Sequence, residues 1–132
     1  MLLIKIKPNG ILGKLLLRNG KFDGRNLGPI SFISKELTGR NKEAVIAHEK
    51  EHYYQWKKNP FTFGIKYLFI PEVRYKAELE AYRQQNYIVE APDTYSYYIL
   101  NNYKLDKLNL TIEKIKNDLL NKKENSIWEN YH

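Results

Sequence analysis

The sequence predicts an α+β domain in which a small N-terminal antiparallel β-sheet is followed by about four helices. Three observations lead there. The first third alternates apolar and polar residues at period two and is punctuated by Gly and Asn-Gly turns. From Asn41 onward, charged stretches carry apolar residues at helical spacing instead. No repeat, low-complexity tract or linker divides the chain, so residues 1–132 are expected to form a single domain with one core.

Leu2, Ile4 and Ile6 alternate with Leu3, Lys5 and Lys7, the pattern of a half-buried strand, and Pro8–Gly10 closes it with a turn. A second strand is expected at Lys14–Arg18. Asn19-Gly20 is a tight-hairpin signal leading into a short strand around Lys21–Asp23. After a loop bracketed by Gly24 and Gly28, "PISFIS" (Pro29–Ser34) reads as a further strand. Asn41 suits the N-cap of a helix that runs to about Lys58, where Asn59-Pro60 stops it. The aromatic, apolar stretch Phe61–Pro71 is too short to span a membrane and is expected to wrap over the core. Glu72–Ile88 follows as a second helix, with Val73, Ala77, Ala81 and Ile88 on one stripe. Pro92 and Asp93 open a third, tyrosine-rich helix. A fourth near Thr111–Leu120 places Ile112, Ile115 and Leu119 at core spacing.

Composition narrows the chemistry. There is no cysteine, so disulfides and thiolate ligands are excluded and any metal must be held by His, Asp or Glu. The formal charge of +7 raises the question of an anionic partner, but the lysines are scattered and read mainly as solvated faces. Nucleic acid is therefore the minority reading. The N-terminal segment has no cleavage-site pattern, and no apolar run approaches the roughly 20 residues of a membrane span. A cytoplasmic protein without a membrane partner is expected; oligomeric state is left open.

The densest chemistry lies in "AHEKEHYYQW", Ala47–Trp56. On a helix, His48 and His52 project from one face about 40° apart and one turn along the axis, so two imidazoles can converge on one ion. Glu49 adjoins the first histidine and falls beside the open metal position, where it can take a proton from zinc-bound water and return it to a leaving amine. This is the H-E-x-x-H arrangement of metalloproteases. A catalytic zinc takes three protein ligands. His132, the only other histidine, is terminal and poorly placed to serve. The next helix offers Glu72, Glu78 and Glu80. Glu78 and Glu80 point about 200° apart, so only one of them can face the histidines.

"AHEKEHYYQW" followed by "AELEAYRQQ" (Ala77–Gln85) resembles the gluzincin-type zinc metallopeptidases, in which H-E-x-x-H is completed by a Glu on the next helix, often within E-x-E-A. Small bacterial and phage proteins of the minigluzincin kind are the nearest in pattern. The resemblance covers roughly Ala44–Gln85 and implies a zincin-like core. It implies His48, His52 and Glu78 as zinc ligands and Glu49 as general base. Glu80 is the alternative third ligand and otherwise a solvated carboxylate. Related gluzincins often carry Asp or Asn four residues after the Glu ligand, to orient a zinc-bound histidine. Tyr82 stands there in this chain, either as a weaker orienter or as a packing residue. The resemblance also assigns "PISFIS" to an edge strand above the active-site helix, where an extended peptide could add itself, and implies a tyrosine or arginine as oxyanion stabiliser. Gln55 and Trp56 lie on or near the metal-facing stripe, Gln55 within reach of the site and Trp56 as a core residue.

The expected function is thus a zinc-dependent peptidase acting on a peptide or protein substrate. Two alternatives remain. One resembles the ImmA/IrrE type, which cleaves a DNA-bound repressor, although no helix-turn-helix sequence is evident. The other is a non-catalytic, zinc-stabilised binding protein, with nucleic acid as its candidate partner.

Overall fold

The alternating N-terminal residues do form a strand, but its partner is not the segment that follows. In a computed structural model, which describes residues 1–121, strand β1 (Leu2–Ile6) pairs in parallel with β3 (Ile30–Ser34). Strand β2 (Gly24–Leu27) pairs antiparallel with β3 on the other side, giving the order β1-β3-β2. The sheet is therefore mixed, where an antiparallel one is expected. "PISFIS" supplies its central strand, not an edge, because β1 returns to cover the side of β3 that β2 leaves open. The edge beside the candidate site is β2.

The cause lies between β1 and β2. Ile11–Leu16 is a short helix, α1, where the pattern predicts a strand at Lys14–Arg18. Leucine favours a helix over a strand, and Gly13 lets this one close onto the preceding turn. A Cβ at Gly13 would fall 2.1 Å from the Lys7 carbonyl oxygen and 2.6 Å from that of Pro8. Asn19-Gly20 still marks a reversal, with Arg18, Asn19 and Gly20 at φ 48°, 59° and 86°, but it joins α1 to β2. The two-residue hairpin sits at Gly28-Pro29 instead. There Gly28 has φ 72°, and the Asn26 side chain donates to Gly28 O at 2.9 Å and accepts from Gly28 N at 3.0 Å. The strand expected around Lys21–Asp23 accordingly begins at Gly24.

Helix α2 (Gly39–Lys58) starts before the expected Asn41 cap, with Thr38 at the N-cap position, and stops at Asn59 as predicted. Phe61–Pro71 covers one flank of the core through Phe63 and Tyr67. It forms helix α3 (Phe63–Phe69), which buries Phe63 and leaves Phe61, Ile65, Leu68 and Phe69 exposed. Helix α4 (Pro71–Ile88) has proline at its first position, where the missing N–H is no loss. Helix α5 (Pro92–Asn102), a 3-10 turn at Asp106–Leu108 and helix α6 (Ile112–Leu120) complete the described residues. Thr111 caps α6 by accepting from Lys114 N at 3.1 Å. Among the described residues six α-helices thus stand where about four are expected.

Helix α2 lies between the sheet and α4, in contact with β2, β3 and α4. Helix α4 is central and buried nearly all round, from Val73 to Arg83. One side packs Tyr75, Leu79 and Tyr82 against Tyr95, Ile99, Leu105, Ile115 and Leu119; the other packs Val73 and Ala77 with Phe63, Trp56 and Tyr67. Leu79, Ile99 and Ile115 are fully enclosed, each contributing about 1.5–3 kcal/mol of apolar transfer. Among the described residues no helix is long and apolar enough to cross a membrane.

Candidate metal centre

Two neighbouring helices, α2 and α4, meet over a polar cluster. The buried stripe of α2 runs Ala44, Val45, His48, Glu49, His52 and Gln55, at the three- and four-residue spacing of one helical face. A face that buries two imidazoles, a carboxylate and an amide has no apolar reason to be inside. Its partner on α4 is Glu78, as enclosed as the leucine beside it.

The Nε2 atoms of His48 and His52 stand 3.2 Å apart, and Glu78 Oε1 lies 3.3 Å from the first and 3.2 Å from the second. These three atoms can hold one metal ion. The triangle has the right size for it: around a tetrahedral ion with bonds near 2.0–2.1 Å, neighbouring donors are about 3.3 Å apart. Two imidazole nitrogens and one carboxylate oxygen are also donors that suit a divalent transition ion.

The orientation of His52 follows from its neighbours. The Gln55 amide nitrogen donates to Ala77 O at 3.0 Å, since a carbonyl can only accept, and so Gln55 Oε1 is turned to His52 Nδ1 at 2.9 Å. An amide oxygen is an acceptor only, so Nδ1 carries a proton and, in the neutral ring, Nε2 offers its lone pair to the cluster. Gln55 thereby ties His52 on α2 to the backbone of α4. His48 lacks such a partner. Its Nδ1 is buried without a hydrogen bond among the described residues. Tyr82, in the position of an orienting residue, packs its ring edge-on against His48 at 4.3 Å between centroids and engages Tyr103 Oη at 2.8 Å. It is a packing residue here.

Electrostatics bind the cluster together in the absence of an ion. Burial disfavours a charged His52, but the Glu78 carboxylate outweighs it and pushes the imidazole up to about 9. Burial likewise works to raise Glu78, yet His52 and His48 hold its carboxyl well below the usual carboxylate range. The second Glu78 oxygen accepts from the Tyr67 hydroxyl, and burial followed by the adjacent Glu78 charge pushes that phenol well above its ordinary value.

Glu49 stands beside the triangle, with Oε1 4.0 Å from His48 Nε2. Its other oxygen, Oε2, is buried and finds no hydrogen-bond partner among the described residues. Burial pushes the carboxyl up, against the opposing pull of His48 and His52. Strand β2 presses on it from above. A Cβ on Gly24 would meet Glu49 Oε1 and Val45 Cγ1, each at 3.0 Å, so only glycine lets the strand lie this close. A groove of about 600 Å³ opens over the cluster, walled by β2, α3 and the segment after α5.

His48, His52 and Glu78 are thus brought together as the residue types suggest, with Glu49 adjoining and Gln55 touching the site. Trp56 is only half-buried and lines the groove as well as packing on Phe63, Val73 and Ala77. Glu80 is neither ligand nor solvated. It is buried on the far side of α4, 2.8 Å from Arg83 Nη1, and burial pushes its carboxyl up. Arg83 also donates to the carbonyls of Asp118, Leu119 and Asn121, closing the end of α6. His132 lies outside the described residues. Sequence reasoning missed Tyr67 and Gly24. Tyr67 sits in an apolar run with no spacing signal, whereas a glycine opening a strand is a cue for close backbone approach. No protein-family profile, curated protein or solved structure matches this chain.

Proposed function

We propose that the protein is a zinc-dependent metallopeptidase that hydrolyses peptide bonds in the groove over His48, His52 and Glu78. The observation that carries this reading is the triangle of donor atoms, spaced at 3.2, 3.2 and 3.3 Å, with the unpartnered Glu49 carboxylate oxygen next to it. Zinc held by the three donors would supply a Lewis acid that makes water nucleophilic near neutral pH and polarises a carbonyl. A buried carboxylate with one free oxygen suits proton transfer. Glu49 takes the proton of the attacking water at Oε2 and returns it to the leaving amine, and its burial-raised pKa brings it closer to the working pH of such a shuttle. Gln55 keeps His52 in one tautomer, and Tyr67 holds the second oxygen of Glu78 so that Oε1 is the one presented. The open edge of β2, across the groove, offers an extended peptide a strand to join.

The test combines metal and turnover. Elemental mass spectrometry on tag-free protein should find about one zinc per chain, lost in Glu78→Ala. Glu49→Gln should retain zinc but lose about 10²–10⁴-fold in the cleavage rate of peptides from a library screen. A wild-type chain that stays metal-free after zinc is supplied, or a Glu49→Gln chain that cuts as fast as wild type, overturns the proposal. Zinc retention with no cleavage of any peptide would favour a zinc-stabilised binding protein.

A further inference from the structure

Apart from Glu49 and Glu78 on its floor, every charged side chain lining the groove is basic: Arg18, Arg25, Arg74 and Lys104. Arg74 is engaged by the backbone, donating to the carbonyls of Tyr103 at 2.6 Å, Tyr67 at 2.8 Å, Leu68 at 3.0 Å and Lys104 at 2.8 Å. Arg18, Arg25 and Lys104 are exposed, and among the described residues none of them pairs with a carboxylate. Arg18 lies over the Phe22 ring at 5.6 Å, which fixes one cation at the rim. A groove lined by one sign of charge concentrates ligands of the other.

The strand register says where a ligand's charge would fall. Ser34 N donates to Asp23 O at 2.9 Å, so Asp23 and Ser34 form a hydrogen-bonded pair. The alternation of antiparallel pairs then turns the main chain of Arg25 and Leu27 toward β3, and that of Gly24 and Asn26 toward the open edge. An extended peptide would bond to Gly24 and Asn26. In a peptide running antiparallel to β2, the residue opposite Arg25 would occupy the non-hydrogen-bonded relation, where side chains of paired strands come closest, with Cα atoms about 4.5 Å apart.

We infer that the groove selects acidic peptides, with Asp or Glu at the position facing Arg25 and further carboxylates drawn by Arg18 and Lys104. This deepens the peptidase reading by naming its substrate class, and it rests on that reading for the peptide's course along β2. A single-stranded nucleic acid would meet the same cations, but it has no alternating N–H and C=O groups to complete the edge at Gly24 and Asn26.

Binding and cleavage are to be measured separately on the full chain loaded with zinc. For binding, fluorescence anisotropy of a labelled acidic peptide on the Glu49→Gln chain is set against its Asn/Gln counterpart and a labelled oligothymidylate. The acidic peptide should bind at least about fivefold tighter at low salt, and the preference should shrink as salt rises. Arg25→Glu should abolish the preference and Lys104→Glu should reduce it; both sites are exposed, and a thermal melt checks that each variant folds. Equal affinities, no binding of either peptide, or a preference that survives Arg25→Glu would overturn the inference. So would oligothymidylate binding as tightly as the acidic peptide and displacing it. Acidic peptide bound through Arg25 but never cut by the wild-type chain would sink the peptidase reading and leave this preference standing. Cleavage indifferent to acidic residues would do the reverse.

Discussion

Gln55 makes two hydrogen bonds that do different work, and substitutions can separate them. Its Oε1 accepts from His52 Nδ1 at 2.9 Å, and its amide nitrogen donates to Ala77 O at 3.0 Å, all within a fully enclosed environment. Gln55→Leu removes both and leaves the His52 N–H with no acceptor. A buried polar group left unpaired costs about 1–3 kcal/mol, and each lost hydrogen bond about 1 kcal/mol. The variant should therefore be destabilised by about 2–4 kcal/mol, offset only in part by the leucine's apolar burial. Loss of a group that orients a ligand histidine typically lowers metal affinity about 10–100-fold. Gln55→Glu keeps the acceptor for His52 but turns a carboxylate toward the Ala77 carbonyl. It should hold zinc at least as tightly as wild type while melting at lower temperature. Zinc affinity is read by competition with a chelating dye, and stability by urea denaturation of the chelator-treated chain. If Gln55→Leu binds zinc as tightly as wild type, the assignment of Gln55 as the residue that orients His52 is refuted.

Three further outcomes are expected. In the metal-free chain Glu78 holds His52 protonated up to about pH 9, so zinc must displace one proton at neutral pH and its apparent affinity should rise about tenfold per pH unit from about 7 to 9. The raised His52 value also contributes stability to the metal-free fold that is fully present below the ordinary imidazole pKa of 6.5 and fades as pH climbs through 9, whereas the lowered Glu78 value contributes stability that is present above the ordinary carboxyl value of 4.5 and is lost progressively as pH falls below it. Melts at about pH 6 and pH 9 should therefore differ more with chelator than with zinc; equal differences would count against the coupling. Gly24→Val should keep its zinc, lose about 1–3 kcal/mol to overpacking against Val45 and Glu49, and lose about 10²-fold in turnover as Glu49 is displaced; unchanged turnover would show that β2 does not position the base. Arg83→Met should cost about 3–5 kcal/mol by stranding the buried Glu80 carboxylate and uncapping α6, with zinc content unaltered, whereas zinc loss in Glu80→Gln would contradict its placement away from the site.

The H-E-x-x-H residues were legible because their geometry is local: four residues along a helix return the side chain to the same face wherever that helix packs. Choosing between Glu78 and Glu80 was a different problem. Helix geometry says that the two diverge, and the resemblance favours Glu78, but what occupies Glu80 is Arg83, held in turn by carbonyls at the end of α6, more than thirty residues further on. No pattern along α4 announces that arrangement. The sheet failed for a related reason. Alternation reveals strands, but the order and direction of β1 depend on whether the intervening leucine-rich segment coils or extends, and Gly13 settles that through contacts with Lys7 and Pro8. On α2 the apolar periodicity is weak where the helix is most buried, since the stripe is occupied by His48, Glu49, His52 and Gln55. Local rules tend to break at sites that serve something other than packing.

Helix α3 is a short element that buries Phe63, packs Tyr67 on the Val73 and Ala77 cluster, and is moored among other contacts by Tyr67 on Glu78 and by Arg74 on the carbonyls of Tyr67 and Leu68. A short surface helix opens at a lower free energy than the whole domain needs to unfold. Because one of its moorings is Glu78, seating α3 and filling the proposed metal site would be coupled equilibria, each changing the other by the same factor. In the proposed enzyme, a peptide leaning on α3 would then alter the grip on a metal that it never touches.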